Sequence, residues 1–230
     1  MSGMDNALVF GGTFDPVHRG HIESVCGVAR LLGDMDVYLV PCQVPAHRPR
    51  PSASPEARLE MLELAVGSQD RIFVDDCELR REGISYTVDT LLGYRERLGE
   101  SGSLLFMMGR DSWLTLPSWN RWEVLTDLAH LVIVERPGAD QSAPDVLREW
   151  GKSRQVQDPQ ALMNSPSGKV CFLSVDQIDV SASGVRDKIA KGSSIEGDVN
   201  PLVTKYIRQH NLYAGASIKN KVAGNRMEHQ

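Results

Sequence analysis

His18 and His21 stand three residues apart in Gly11-Gly12-Thr13-Phe14-Asp15-Pro16-Val17-His18-Arg19-Gly20-His21, where a short apolar run meets an amphipathic one. That spacing puts both rings on one side of a first helical turn, where either one can hydrogen-bond the same polyanion. The paired glycines Gly11 and Gly12 let a ligand approach the backbone without meeting a Cβ. A helix opening at this point adds exposed N–H groups and the positive end of its dipole. The chemistry these groups share is phosphate binding. Asp15, in the same loop, has two open roles, orienting a histidine or capping the loop.

Such a loop needs a strand before it and a helix after it. Ala7 to Phe10 reads as a buried parallel strand, and Ile22, Val25, Cys26, Ala29 and Leu32 recur at helical spacing up to Gly33. Further strand-like runs lie at Val37 to Val40, Ile72 to Val74, Leu104 to Met108, Leu131 to Val134 and Val170 to Leu173. Helical patterns fall between most of them, including Glu56 to Val66 and Tyr86 to Leu98, the latter with Ser85 or Thr87 as N-cap. The alternation predicts an α/β fold: a Rossmann-like open, mostly parallel sheet with helices on both faces and ligands at the carboxyl ends of its strands.

A chain of 230 residues buries about 70 per cent of its unfolded surface, and one domain over residues 1–216 suffices. Residues 217–230 lack apolar periodicity and read as a flexible tail, while Gly138 to Gly168 reads as a peripheral insertion with a helical patch around Val146 to Trp150. A net charge of −5 gives no general attraction for nucleic acid, so anions must be met by local basic residues. Cys26, Cys42, Cys77 and Cys171 form no C-x-x-C pair, which argues against a zinc site and a disulfide framework. No apolar run is long enough for a membrane span, and the first residues carry no basic and apolar leader. The expectation is a soluble cytoplasmic protein with no membrane partner.

The glycine loop matches neither the dinucleotide fingerprint nor the P-loop. Its H-x-G-H string instead resembles the signature of the nucleotidylyltransferase superfamily, in which both histidines contact the phosphates of a nucleoside triphosphate. From Leu8 to Tyr213 the chain is similar to the bacterial nicotinate mononucleotide adenylyltransferases. Val44-Pro45-Ala46-His47-Arg48-Pro49 resembles the family's P-P-H-[KR] loop, with Ala46 where proline is often found. Glu78 to Leu91 resembles its E-x-x-R-x-x-x-S-Y-T-x-x-T-L segment. Met108-Gly109-Arg110-Asp111-Ser112, followed by Leu116 to Trp122, is a third match. Ile178 to Arg186 resembles the family's closing I-S-[SA]-[ST]-x-[IV]-R, with Val180 where isoleucine is usual.

The resemblance implies transfer of AMP from ATP to nicotinate mononucleotide, giving nicotinate adenine dinucleotide and pyrophosphate, a step of NAD synthesis. Alternative activities are those of the nicotinamide mononucleotide and pantetheine-phosphate adenylyltransferases of the same superfamily; a remote alternative is a nucleotide-binding regulator without turnover. It implies His18, His21 and Arg186 as catalytic residues. ATP falls to Gly11, Gly12, Thr13, Phe14, Gly109, Asp111 and Ser183, and the mononucleotide to His47, Arg48, Tyr86, Thr87, Trp119 and Asn120. Trp119 stands where the family stacks a tryptophan on the nicotinate ring, whereas Trp113 and Trp122 read as packing residues. Backbone N–H groups around Tyr86 and Thr87 suit a pyridine carboxylate, although an ordinary capped helix explains Ser85 and Thr87 equally well. Ser181 reads as a helix cap ahead of Ser183 and Arg186. Mg²⁺ is expected to arrive with ATP, with no protein ligands of its own.

Overall fold

The computed structural model describes residues 6–33, 35–46, 49–135, 143–176 and 178–214. The chain runs β1 (Asn6–Gly12), α1 (Arg19–Leu32), β2 (Asp36–Pro41), α2 (Pro55–Val66), β3 (Ile72–Val74), α3 (Thr87–Leu98), β4 (Ser103–Gly109) and α4 (Arg110–Leu114). It continues through α5 (Leu125–Leu128), β5 (His130–Glu135), α6 (Asp145–Lys152), β6 (Gln155–Val156), β7 (Val170–Ser174), α7 (Ala182–Ala190) and α8 (Pro201–Gln209). All seven strands form one sheet in the order β3-β2-β1-β4-β5-β7-β6, and every pairing is parallel.

Strand periodicity explains why these runs are apolar at nearly every position. Successive side chains point to opposite faces, and both faces here are covered. Leu8, Leu105, Met107, Val132 and Val134 pack on one face with Val25 and Val28 of α1, Met61 and Leu62 of α2, Val185 of α7 and Ile207 of α8. Their neighbours in sequence, Ala7, Val9, Phe106, Leu131 and Ile133, pack on the other face with Leu91 and Tyr94 of α3, Trp113 of α4, Leu125 of α5 and Leu147 of α6. The expected strands are all present. The sheet is fully parallel among the described residues rather than mostly so.

The chain leaves β1 for β2 on one side and later returns to pair β4 on the other. A crevice opens where strand order reverses in this way, outside the carboxyl ends of the central strands. Gly11 and Gly12 end β1 and Gly109 ends β4, so the segments singled out for chemistry meet at that crevice.

Two expectations change. Residues 143–168, the described part of the supposed insertion, are built into the molecule: β6 extends the sheet beside β7, and Leu147 and Leu162 are fully buried. Trp150 of α6 packs on Trp122 and Trp113, with ring centroids 5.0 and 6.2 Å apart. Two residues of strand carry too little periodicity to be read in advance. Second, Tyr86 holds the N-cap position of α3, so neither Ser85 nor Thr87 caps it. The Ser85 hydroxyl instead accepts the Gln43 N–H at 2.9 Å. The expected tail, residues 217–230, lies outside the described residues, as do His47 and Arg48.

Candidate active site

The phosphate loop is fastened from within. His18 is the N-cap residue of α1 and is buried, and the His21 ring stacks on it with centroids 3.6 Å apart at 25°. His21 Nδ1 accepts the His18 backbone N–H at 3.2 Å. With Nδ1 accepting, the proton of the neutral ring belongs on Nε2, which is then the donor nitrogen. The Phe14 ring meets His21 edge-on at 5.1 Å and Phe10 at 5.7 Å.

The glycines of this motif serve packing as well as ligand access. A Cβ on Gly12 would come within 2.8 Å of Phe14 Cζ, and one on Gly20 would come within 3.1 Å of both the His18 ring and Val180. Contacts that short displace their neighbours, so Gly12 admits the Phe14 ring and Gly20 lets α1 seat His18 against the segment before α7. At Gly12 the missing Cβ is thus used by the Phe14 ring, while the residue still lines the cavity. Around Gly109 nothing lies within 4 Å of an added Cβ, which leaves its backbone approachable.

Asp15 takes the loop-capping role. Its carboxylate accepts the backbone N–H groups of Ser52 at 2.7 Å and Ala53 at 3.0 Å, and the Tyr213 hydroxyl at 2.8 Å. Burial pushes the Tyr213 hydroxyl well above its ordinary pKa, and the Asp15 charge pushes the same way, so the phenol stays a donor. Arg186 Nη1 donates to the Asp15 carbonyl. One residue thereby ties the phosphate loop to the proline-rich segment, to α7 and to the end of the described chain. Ser181 caps α7 by accepting the Gly184 N–H at 3.1 Å, and Ser183 follows in its first turn.

Across the crevice, α3 presents its N-terminus. Thr90 donates to buried Glu78 at 2.5 Å and accepts from Arg81 at 2.5 Å, a relay that staples the loop before α3 to its own first turn. Burial raises the Glu78 carboxyl, while the hydroxyls of Thr90 and Ser85 and the charge of Arg81 pull it down. Ser85 N–H also donates to the Val44 carbonyl at 2.9 Å, so the entrance to α3 is stitched to the loop after β2. Trp119 follows the 3₁₀ turn Leu116–Ser118, is half-buried, and packs edge-on to Phe106 at 6.4 Å. Trp113 is buried among Phe172 and Trp150, as expected of a packing residue.

These walls enclose one cavity of about 1040 Å³. His18, His21 and Arg186 line it, as do Gly11, Gly12, Thr13 and Phe14. Gly109, Asp111 and Ser183 lie on its β4 and α7 sides, and Tyr86, Thr87, Trp119 and Asn120 form the wall opposite the histidines. Phe14 is only 1% exposed, so its ring contributes mainly to packing. Sequence reading passed over Phe106, Arg110 and Glu78 as cavity residues. Arg110, held to Glu135 at 2.5 Å, adds a cation to the rim, and its place beside Gly109 at a strand end was the available signal. Among the described residues no group of three or more His, Cys, Asp or Glu side chains is arranged to hold a metal ion. No helix among them is long and apolar enough to cross a membrane.

The cytidylyltransferase-like family model matches residues 9–188, a span that includes the phosphate loop and Arg186. A protein of Yersinia pestis (strain Pestoides F) named "probable nicotinate-nucleotide adenylyltransferase" is 40% identical over 209 residues, covering 90% of this chain and 94% of the relative. One of the same name from Marinomonas sp. (strain MWYL1) is 39% identical over 205 residues, covering 89% and 93%. The fold is shared with the Plasmodium falciparum nicotinic acid mononucleotide adenylyltransferase complexed with NaAD. That likeness has a TM-score of 0.71 at 20% identity, over 91% of this chain and 97% of the other. With that span matched and nearly its whole length aligned at about two identities in five, the chain belongs to the cytidylyltransferase-like family, among the nicotinate-nucleotide adenylyltransferases.

Proposed function

We propose that the protein transfers the adenylyl group of ATP to nicotinate mononucleotide, forming nicotinate adenine dinucleotide and pyrophosphate in NAD synthesis. The observation that carries this reading is a single cavity with a phosphate loop and stacked histidines on one wall and the α3 N-terminus with Trp119 on the other. Such a cavity suits a triphosphate and an aromatic carboxylate at once.

The step needs no protein nucleophile. An oxygen of the mononucleotide phosphate attacks the α-phosphorus of ATP in line, the bond to the α,β-bridging oxygen breaks, and pyrophosphate leaves with the electron pair. The attacking phosphate is already largely ionised at neutral pH, so no strong base is required. Catalysis then consists of holding two polyanions together and stabilising charge on the transferring and leaving oxygens. His21 Nε2–H, His18, Arg186 and the N-termini of α1 and α7 supply positive or donor groups for that purpose. Ser183 and Gly109 border the nucleotide, Asp111 accepts from ribose hydroxyls, and Asn120 sits beside Trp119 at the pyridine end. His47 and Arg48 belong to the mononucleotide side in this reading.

Mg²⁺ carried with ATP would add positive charge on the polyphosphate, and this reading asks no protein ligand of the chain for it. In support, the carboxylates of Asp15 and Glu78 are already taken up by protein donors. The reading also assigns the protein to the cytoplasm, in keeping with four free cysteines.

Pyrophosphate release on mixing the enzyme with ATP and, separately, nicotinate mononucleotide, its amide or phosphopantetheine tests the assignment. The acid should react fastest. Release with phosphopantetheine alone, or with no acceptor, would overturn it.

A further inference from the structure

Arg58 of α2 is fully buried. It sits with Met61, Leu62 and Ala65 on the inward stripe of the helix, at a position where an apolar side chain would be ordinary. Its Nη1 donates to the Thr13 carbonyl at 2.9 Å and its Nη2 to the Gln43 carbonyl at 3.4 Å. Cys42 lies beside it, and the Tyr213 hydroxyl is close enough to feel its charge. Among the described residues it has no carboxylate partner, and its Nε has no hydrogen-bond acceptor. Burying an arginine without an opposing charge costs several kcal/mol, which packing alone does not justify.

Geometry supplies the reason. Thr13 and Phe14 line the cavity, whereas Arg58 does not and lies behind them. The peptide between Thr13 and Phe14 is planar, so its carbonyl and N–H point in opposite directions. With the carbonyl drawn inward to Arg58, the Phe14 N–H is turned toward the cavity. Phe14 itself holds φ of 50°, a value a phenylalanine adopts only when surrounding contacts impose it. The guanidinium also bridges this loop to the one after β2, since Gln43 follows that strand.

Resting on the adenylyl-transfer reading above, we propose that Arg58 is a positioning residue for that reaction. It clamps the Thr13–Phe14 peptide so that the N–H faces the nucleotide phosphates, and it places a fixed positive charge behind the loop without touching substrate.

The test compares the full-length wild type with Arg58→Met and Arg58→Lys. Methionine fills much of the same volume without charge or donors, so a folded protein with a thermal midpoint within about 5 °C of wild type is expected. Its kcat for dinucleotide formation, per folded enzyme, should fall about 10-fold or more, and its ATP affinity by calorimetry should weaken. Lysine restores the charge and one donor, and should recover kcat to within about 3-fold of wild type. If Arg58→Met proves unfolded, Arg58→Gln, whose amide stops well short of the Thr13 carbonyl, takes its place with the same expected losses. Wild-type kcat in a folded Met or Gln variant, or a lysine variant as poor as the methionine one, would overturn the role. Should wild type form no dinucleotide from these substrates while Arg58→Met still weakens ATP binding about 10-fold, the acceptor assignment fails and Arg58 stands.

Discussion

Arg186 Nη1 donates to the Asp15 carbonyl at 2.6 Å, and the Asp15 carboxylate lies 3.9 Å from the same nitrogen. These residues are 171 apart in sequence, so this contact bolts α7 to the phosphate loop between β1 and α1. One arm of the guanidinium is thereby committed to structure, while the residue also lines the cavity. Arg186→Lys keeps the charge but cannot make both contacts. Its kcat should fall about 10-fold and that of Arg186→Ala about 10²-fold. Steady-state kinetics at saturating substrates check this, and an alanine variant with normal kcat would demote Arg186 to a structural strut.

Asp15→Ala tests the hub itself. It strips the acceptor from the N–H groups of Ser52 and Ala53 and from the Tyr213 hydroxyl, all at a site only 5% exposed. The cost is of the order of 2 to 4 kcal/mol, which for a chain of this size lowers the thermal midpoint by about 5 °C or more. Calorimetric unfolding of both proteins gives the answer directly. An unchanged midpoint would mean that water replaces the carboxylate at no loss.

His18→Ala and His21→Ala should each lower kcat by about 10² or more with smaller effects on KM, because their donors count for most as charge develops on the transferring and leaving oxygens. The rings are stacked and linked through His18 N–H, so losing one loosens the other. The double variant should therefore lose much less than the product of the single losses. Strictly multiplicative losses would show two independent contributions.

The central strands of the sheet were legible because both of their faces are buried and their runs are largely apolar, the edge strand β3 by its apolar residues alone, with β6 too short to register. The phosphate loop was legible because its residue types are unusual together. Arg58 carried a readable signal, a charge on the inward stripe with Met61, Leu62 and Ala65, but such a residue looks like a surface arginine until the helix is seated. Nothing near Asp15 announces Tyr213, since the two meet only through the tertiary path of the chain. Glu78, Arg81 and Thr90 stood within a recognised segment, yet their bonding to one another depends on the turn that brings the loop back over α3.

That relay makes its own prediction. Thr90→Val keeps volume while removing the hydroxyl that joins Glu78 to Arg81, so the N-terminus of α3 loses its fixed position beneath Tyr86 and Thr87. KM for nicotinate mononucleotide should rise by about 3- to 10-fold, with KM for ATP little changed. An equal rise for both substrates would show that the relay supports the whole cavity instead of the pyridine end.

Acid stability provides the last test, centred on His130, which is fully buried in β5. Its Nδ1 accepts the Lys169 N–H at 3.0 Å and its Nε2 meets the Ser165 carbonyl at 2.7 Å, an arrangement that suits only the neutral ring. Burial lowers its pKa below the usual 6.5, and the charges of Arg95 and Lys169 push the same way. The unfolded chain therefore binds this proton more readily than the folded one. The stabilisation is complete above about pH 6.5 and is lost as pH falls toward the depressed folded value. Asp75, held below its ordinary range by Tyr94, Arg97 and the Cys77 N–H against the cost of burial, loses its contribution only further down, below about pH 4. Thermal midpoints of wild type and His130→Gln between pH 7.5 and 5 should converge as pH drops, because glutamine supplies a donor and an acceptor but takes up no proton. A constant gap across that window would mean that the folded His130 takes up its proton as easily as the unfolded one, and that burial sets no pH dependence at this site.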